Sequence, residues 1–279
     1  YGISNPRPVN GTTWDRIKFG SWYQEAGVSP IKWRILSIDD DNTALVLADK
    51  SINVKPYYQQ WSRTVTWEKS TLRTWLNEDF YNEAFNDEEK ETIKETLVVN
   101  EKNPNYLTDG GNDTQDNIFL LSIAEASNKS YGFEGKFNVS DTRVTEGTEY
   151  AIQNSAVGSP TSWWLRSPGR YTDTSAFIKD NGAEGNNGEG DVQFRHHGVR
   201  PAMRINLSSS AVKDAGEVTS SGKVKENGDG TYSVPKEQYG VVTWDCVYFG
   251  SYRQNFNVNQ DIEWRVLSVD GDDAFILAD

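Results

Sequence analysis

The chain has 279 residues, 36% hydrophobic and 12% aromatic, with 10 Trp, 13 Tyr and 11 Phe, so large rings can carry much of the core. Its formal net charge of −13 argues against nucleic acid or anionic lipid as a partner, since both require a basic footprint. No apolar run approaches the ~18 residues of a membrane-spanning helix, and the single cysteine, Cys246, excludes an intramolecular disulfide and a thiolate metal cluster.

Residues 15–19, 31–38 and 43–48, rich in Ile, Val, Trp and Leu, predict three strands. Asp39-Asp40-Asp41-Asn42 predicts a hairpin turn between the second and third. Ser70 can cap a helix that places Leu72, Trp75 and Leu76 on one face, with Phe80, Tyr81 and Phe85 continuing the apolar surface. Asn86-Asp87-Glu88-Glu89 reads as a capping box, opening a second helix on which Ile93 and Leu97 share a face. Residues 100–116 read as loop, and Ile118 to Leu121 as a short buried strand. Ser122-Ile123-Ala124-Glu125 is a second capping box, opening a short third helix. Residues 128–160 show little periodicity and predict a long irregular loop, a feature often functional inside compact domains.

Trp163 to Ser167 predicts a strand halted by Pro168-Gly169. Residues 174–179 and 191–194 bracket a loop of Gly, Asn and acids, and residues 198–207 read as the closing strand. Residues 208–238 have the composition of a linker, with a small hairpin over Asn227-Gly228-Asp229-Gly230. Strands, helices, long loops and strands in that order predict an α+β domain with a mostly antiparallel sheet.

The opening strands recur near the end of the chain. Thr13-Trp14-Asp15-Arg16-Ile17-Lys18-Phe19-Gly20-Ser21-Trp22 aligns with Thr243-Trp244-Asp245-Cys246-Val247-Tyr248-Phe249-Gly250-Ser251-Tyr252. Ile31-Lys32-Trp33-Arg34-Ile35-Leu36 aligns with Ile262-Glu263-Trp264-Arg265-Val266-Leu267, and Leu47-Ala48-Asp49 with Leu277-Ala278-Asp279. The expected organisation is a domain over 1–207, a linker over 208–238, and the start of a second copy over 239–279, either a severed domain or a docked set of strands. Asp270-Gly271, a hairpin signal, stands where the first copy has Asp39-Asp40, so the aspartates of that turn need no metal to explain them.

Trp163-Trp164-Leu165-Arg166-Ser167-Pro168-Gly169 and Gly198-Val199-Arg200-Pro201-Ala202-Met203 make the chain recognisable. With Phe19-Gly20-Ser21, Trp33-Arg34-Ile35-Leu36, Ser70 to Asn77 and Phe119-Leu120-Leu121-Ser122, they resemble an uncharacterised family of domains of unknown function. Those domains occur in secreted and surface proteins of Gram-positive bacteria. More remotely, the closing pattern is similar to the formylglycine-generating-enzyme and C-type-lectin-like superfamily. That resemblance implies a twisted antiparallel sheet with two main helices and long irregular loops.

The oxidase chemistry of that superfamily needs a cysteine pair, and residues 13–207 contain no cysteine. His196-His197, read as strand neighbours, would point to opposite faces and could not chelate one metal. The loop Asp180 to Asp191 is rich in the oxygen donors that calcium prefers but fails the EF-hand spacing, so a polar hairpin is the favoured reading and no cofactor is expected. Asp109-Gly110-Gly111-Asn112-Asp113 is read in the same way. Of Trp163 and Trp164, one is expected to face the core and the other the loop side. Arg166 and Arg200, with Arg204, lie in flanking strands, where they either pair with buried groups or touch a ligand.

Trp163, Trp164, Arg166 and Arg200 are therefore the candidate ligand-binding residues. The leading expectation is a monomeric, non-catalytic, secreted or surface-attached binding or adhesion module, used in tandem, whose ligand is a carbohydrate or a protein. The alternatives are a hydrolase acting on a cell-surface polymer, which requires a cleft with paired carboxylates, and a structural spacer, which requires no concave site.

Overall fold

The computed structural model describes residues 3–8, 11–24, 27–135, 139–155, 162–185 and 190–220, and in the C-terminal part 236–238, 241–243, 246–255, 258–270 and 273–278. The chain divides into two compact units, Tyr1–Ser220 and Ser221–Asp279.

The first unit is mixed α+β, mostly strand with a few short helices. It opens with β1 (Arg7–Pro8), β2 (Thr12–Tyr23), β3 (Val28–Ile38) and β4 (Thr43–Ala48). The expected hairpin joins β3 to β4. The Asp39 N–H donates to Thr43 O at 2.8 Å, Asn42 adopts φ 63°, and Asp41 Oδ1 accepts the Thr43 N–H at 3.0 Å. Asp41 is thus used by the turn itself, while the Asp39 carboxylate ion-pairs with Arg204 at 2.5 Å.

After β5 (Asn53–Val54) the chain forms α1 (Thr71–Trp75), a π-helical turn over Leu76–Phe80, and α2 (Tyr81–Ala84). Ser70 caps α1 by accepting the Arg73 N–H, as its sequence predicts. Asn86 and Glu89 form the full capping box of α3 (Asp87–Thr92). That helix ends sooner than expected. Ile93 leaves it to begin β6 (Ile93–Lys94), where it is buried against Ile205, and Leu97 lies 58% exposed in β7 (Thr96–Val98). A buried sheet edge that needs a partner overrides weak helical periodicity here. Part of the expected 100–116 loop also pairs, as β8 (Thr114–Asp116) against β7.

Residues 118–121 are buried but make only an isolated bridge, Phe119 with Ala202. Side chains take up much of their remaining backbone bonding. Asn77 accepts the N–H groups of Asn117 and Ile118 and donates to Ile118 O at 2.8 Å, while Arg166 donates to Leu120 O at 2.7 Å. Polar clamps replace a ladder. The Ser122 capping box opens α4 (Ile123–Ala126), and the long irregular segment carries α5 (Glu149–Gln153).

Next come β9 (Trp163–Pro168), β10 (Ser175–Ile178), β11 (Glu184–Gly185), β12 (Gly198–Val199), β13 (Ala202–Asn206) and β14 (Lys213–Thr219). The expected closing strand is broken in two. Pro201 has no N–H to continue a ladder; β12 lies in a 5-stranded sheet, β11-β10-β9-β12-β5, and β13 in a 7-stranded one, β1-β2-β3-β4-β13-β6 with β14 on β2. Arg200 sits at that corner. Both sheets are antiparallel except where β12 runs parallel to β9. The expected linker thus begins with a strand of the first unit, β14, whose Val218 pairs with Trp14.

Every residue of β4 and β9 is buried, so both faces of these strands are covered. Phe19 and Trp33 meet Phe85 beside the helices, at 5.5 and 6.4 Å between centroids. Trp14 packs on Phe133 at 6.1 Å and donates to Tyr131 O at 2.9 Å, beneath the long irregular segment.

The second unit contains β15 (Lys236–Gln238) paired with β16 (Val241–Thr243), and a sheet of β17 (Cys246–Asn255), β18 (Val258–Asp270) and β19 (Asp273–Ala278). Cys246 pairs with Arg265 as Arg16 pairs with Arg34, and Trp264 with Ala278 as Trp33 with Ala48. The β17–β18 register shifts between Tyr248 and Ser251, as β2–β3 does between Lys18 and Ser21. The small hairpin expected over 227–230 lies outside the described residues.

Candidate functional site

The four residues singled out by sequence occupy three different environments, all interior. Trp163 and Trp164 are both fully buried, so the expected division into a core face and a loop face is not seen. Trp163 donates to Arg143 O at 3.0 Å and carries the Arg200 guanidinium over its ring at 5.0 Å. Trp164 faces the other way, donates to Lys55 O at 3.0 Å and packs on Tyr57, Phe177 and His197. Arg166 ion-pairs with Glu125 and lies over Phe119, and Arg200 donates through Nε to Ala48 O at 2.7 Å. Burying both faces of β9 explains why the Trp163-Trp164 pair is spatially divided yet equally hidden.

Arg200 belongs to a larger cluster. Arg16 on β2 and Arg34 on β3 pair with Asp49 just after β4, at 2.8 and 2.6 Å, and Arg200 reaches Asp49 O at 3.3 Å. Burial alone would raise the Asp49 carboxyl, but Arg34 and Arg16 outweigh it and hold it well below the usual carboxylate range. Burial, reinforced by Arg34, pushes the Arg200 guanidinium below its ordinary value. Two guanidiniums thus divide one carboxylate while a third bonds the Asp49 backbone carbonyl, and Arg16 Nε, Arg34 Nη1 and Arg200 Nη1 find no acceptor among the described residues. A cavity of about 560 Å³ opens beside the cluster, with Arg16, Gln24, Lys32, Asp49, Lys50 and Thr148 in its wall. Sequence reasoning missed this site. Its signal was the arginine at an inward position of each apolar strand, Arg16 and Arg34, ahead of the Ala48-Asp49 end of β4.

Of Trp14, Trp22, Trp61, Trp163 and Trp164, only Trp61 is exposed, at 71%. It belongs to a surface built from three loops. Arg63 lies over Trp61 at 5.6 Å, and Arg170 lies over both Tyr106 at 5.5 Å and Tyr171 at 5.3 Å. Leu107, exposed and held at φ 58°, adds an apolar tip. The loops are tied together: Thr172 Oγ1 donates to Arg63 O at 2.6 Å, the Val65 N–H to Thr172 O at 2.8 Å, and Thr108 Oγ1 to Arg170 O at 2.8 Å.

His196 and His197 precede β12 rather than lying on a strand, and their rings touch at 4.3 Å instead of pointing apart. His197 Nδ1 meets Ser162 Oγ at 2.8 Å, and burial, with His196 adding to it, pushes its imidazole down to about 3. Among the described residues no group of three or more His, Cys, Asp or Glu is placed to hold a metal ion. In the Asp180 to Asp191 loop, Asp180 and Asn181 accept neighbouring backbone N–H groups, while residues 186–189 lie outside the described set. Asp109 and Asp113 likewise accept backbone N–H groups, of Gly111 and Asn100. No helix among the described residues is long and apolar enough to cross a membrane.

No curated protein and no solved structure matches the chain. One family profile does, described as Domain of unknown function (DUF6273), over residues 41–207. That span runs from the β3–β4 turn through the exposed aromatic loops to the end of β13, more than half of the sequence, and the chain therefore belongs to the DUF6273 family.

Proposed function

We propose that the first unit is a non-catalytic binding module, displayed outside the cell, that recognises a glycan through the Trp61, Tyr106 and Tyr171 surface. One observation carries this reading: exposed aromatic rings on loops fastened to one another, each with a guanidinium beside it. Rigid rings offer flat apolar faces to sugar C–H groups at little entropic cost, and the arginines supply hydrogen bonds to hydroxyls.

The motif resemblance supports a place at the cell surface of a Gram-positive bacterium and a remote kinship with C-type-lectin-like domains. The Trp-rich β9, the Gly198–Arg200 corner and the long loops agree with that kinship. The matched strand registers of the two units support tandem use of the domain. The hydrolase alternative is weakened because Asp49, the one carboxylate among the described residues of the cavity wall, is held ionised between two guanidiniums and cannot act as a general acid. A pure spacer is disfavoured because the cavity exists.

A glycan array and a pull-down of surface proteins, both run with the intact chain, test the proposal. A glycan ligand is expected, with W61A and Y171A each weakening it at least tenfold while unfolding free energy stays within about 0.5 kcal/mol of the parent. Exclusive capture of a protein, or glycan binding indifferent to both substitutions, would overturn it.

A further inference from the structure

We propose that the cavity beside Arg16 and Lys32 is a second binding site, separate from the aromatic surface, for a small ligand carrying an oxyanion such as a carboxylate or phosphate group. The charge arrangement is the first argument. The chain carries a net −13, yet this wall gathers Arg16, Lys32 and Lys50 around a carboxylate already consumed by two arginines. Lys50 is paired with Glu146 at 3.1 Å, whereas Lys32 has no ion-pair partner among the described residues. Burial, then Arg16, lowers the Lys32 ammonium, with Lys18 and Lys50 adding to the effect and Asp49 opposing it. A local excess of cations in a partly desolvated wall focuses a positive potential into the cavity.

The second argument is the stock of donors. Arg16 is only 7% exposed, and its Nε has no acceptor among the described residues; Gln24 Nε2, in the same wall, is likewise shielded from solvent and unbonded among them. Two donors without partners among the described residues at one cavity are costly for a structural role alone, and an oxyanion is the partner that suits guanidinium, ammonium and amide together. The volume, about 560 Å³, is far more than a lone ion fills and lies in the range of sites for small organic molecules. An acidic sugar or a phosphorylated metabolite has the right size and charge.

The test is titration calorimetry on the intact chain at constant ionic strength in chloride, with three probes: inorganic phosphate, glucuronate, and glucose as the neutral counterpart. Saturable binding of phosphate or glucuronate is expected, with glucose at least tenfold weaker, and the anion that binds identifies the chemistry of the head group. Lys32→Gln, an exposed position safe for folding, and Gln24→Ala are each expected to weaken the anion at least tenfold. Trp61→Ala is expected to leave it unchanged, so failure of the glycan reading and failure of this one are distinguishable. Absence of saturable binding by both anions would overturn the proposal. So would equal affinity for glucose, or anion binding indifferent to both K32Q and Q24A.

Discussion

Arg16 and Arg34 stand opposite one another on adjacent strands and divide a single carboxylate, Arg16 Nη1 bonding Asp49 Oδ2 at 2.8 Å and Arg34 Nε bonding Oδ1 at 2.6 Å. Nothing else among the described residues neutralises them. Asp49→Asn should therefore cost about 3–5 kcal/mol, because it leaves buried cations uncompensated. The pH dependence has a definite sign. The Asp49 carboxyl is depressed in the folded state, so its stabilisation is complete above the unfolded value of ~3.9 and is lost as pH falls through the folded one. Denaturation between pH 5 and pH 2 should steepen in the parent and flatten in D49N.

His197 offers a second acid-sensitive group in a different window. Its folded value of about 3, set by burial first and His196 second, lies below the ~6.5 of an unfolded histidine. The unfolded chain therefore binds the extra proton between those limits. Stability is full above ~6.5 and declines towards pH 3 by up to about 1.4 kcal/mol per pH unit. An NMR titration should find this imidazole neutral at pH 5, and His197→Phe should reduce the pH slope of stability by about one proton.

Gly20 is required by the Phe19-Gly20-Ser21 motif for two reasons at once. It adopts φ 65°, and a Cβ there would lie 2.4 Å from Phe85 Cε1. Gly20→Ala should destabilise the domain by about 3 kcal/mol, combining left-handed strain with overpacking of the helix against β2. Chemical denaturation measures it, and trimming Phe85 to Leu in the same chain should recover part of the loss.

Glu125 has two tasks: it completes the capping box with Ser122 and pairs with the buried Arg166. Glu125→Gln can keep the cap while removing the charge, and should cost about 1–3 kcal/mol. Glu125→Ala loses both and should cost roughly 1 kcal/mol more. If E125Q equals the parent in a urea melt, the ion pair contributes nothing to stability.

Much of the local structure was legible because its causes are local. Strands β2 to β4, the Asp39–Asn42 turn, the Ser70 cap and the capping boxes at Asn86 and Ser122 depend on neighbours within a few residues. Where distant partners compete, the reading failed. Ile93 and Leu97 looked helical until β13 supplied a strand to pair with Ile93. Residues 118–121 looked like a strand until Asn77 and Arg166 claimed their backbone. The closing segment looked continuous, although Pro201 already marked where a ladder must stop.

The candidate sites show the same division more sharply. Residue type alone drew attention to Trp163, Trp164, Arg166 and Arg200, but accessibility is a property of the folded chain. All four lie within it, while Trp61, one Trp among ten in the sequence, stands 71% exposed. Sequence by itself determined the α+β class, the strand order at the start of the domain, the caps and turns, and the recurrence of those strands near Asp279, since each rests on short-range periodicity, turn chemistry or direct alignment. Only tertiary structure decided that Arg16, Arg34 and Arg200 converge on Asp49 beside a cavity, and that three separate loops bring Trp61, Tyr106 and Tyr171 to one surface. Those groups are far apart along the chain, and the packing of two sheets, not any local preference, sets the distances between them.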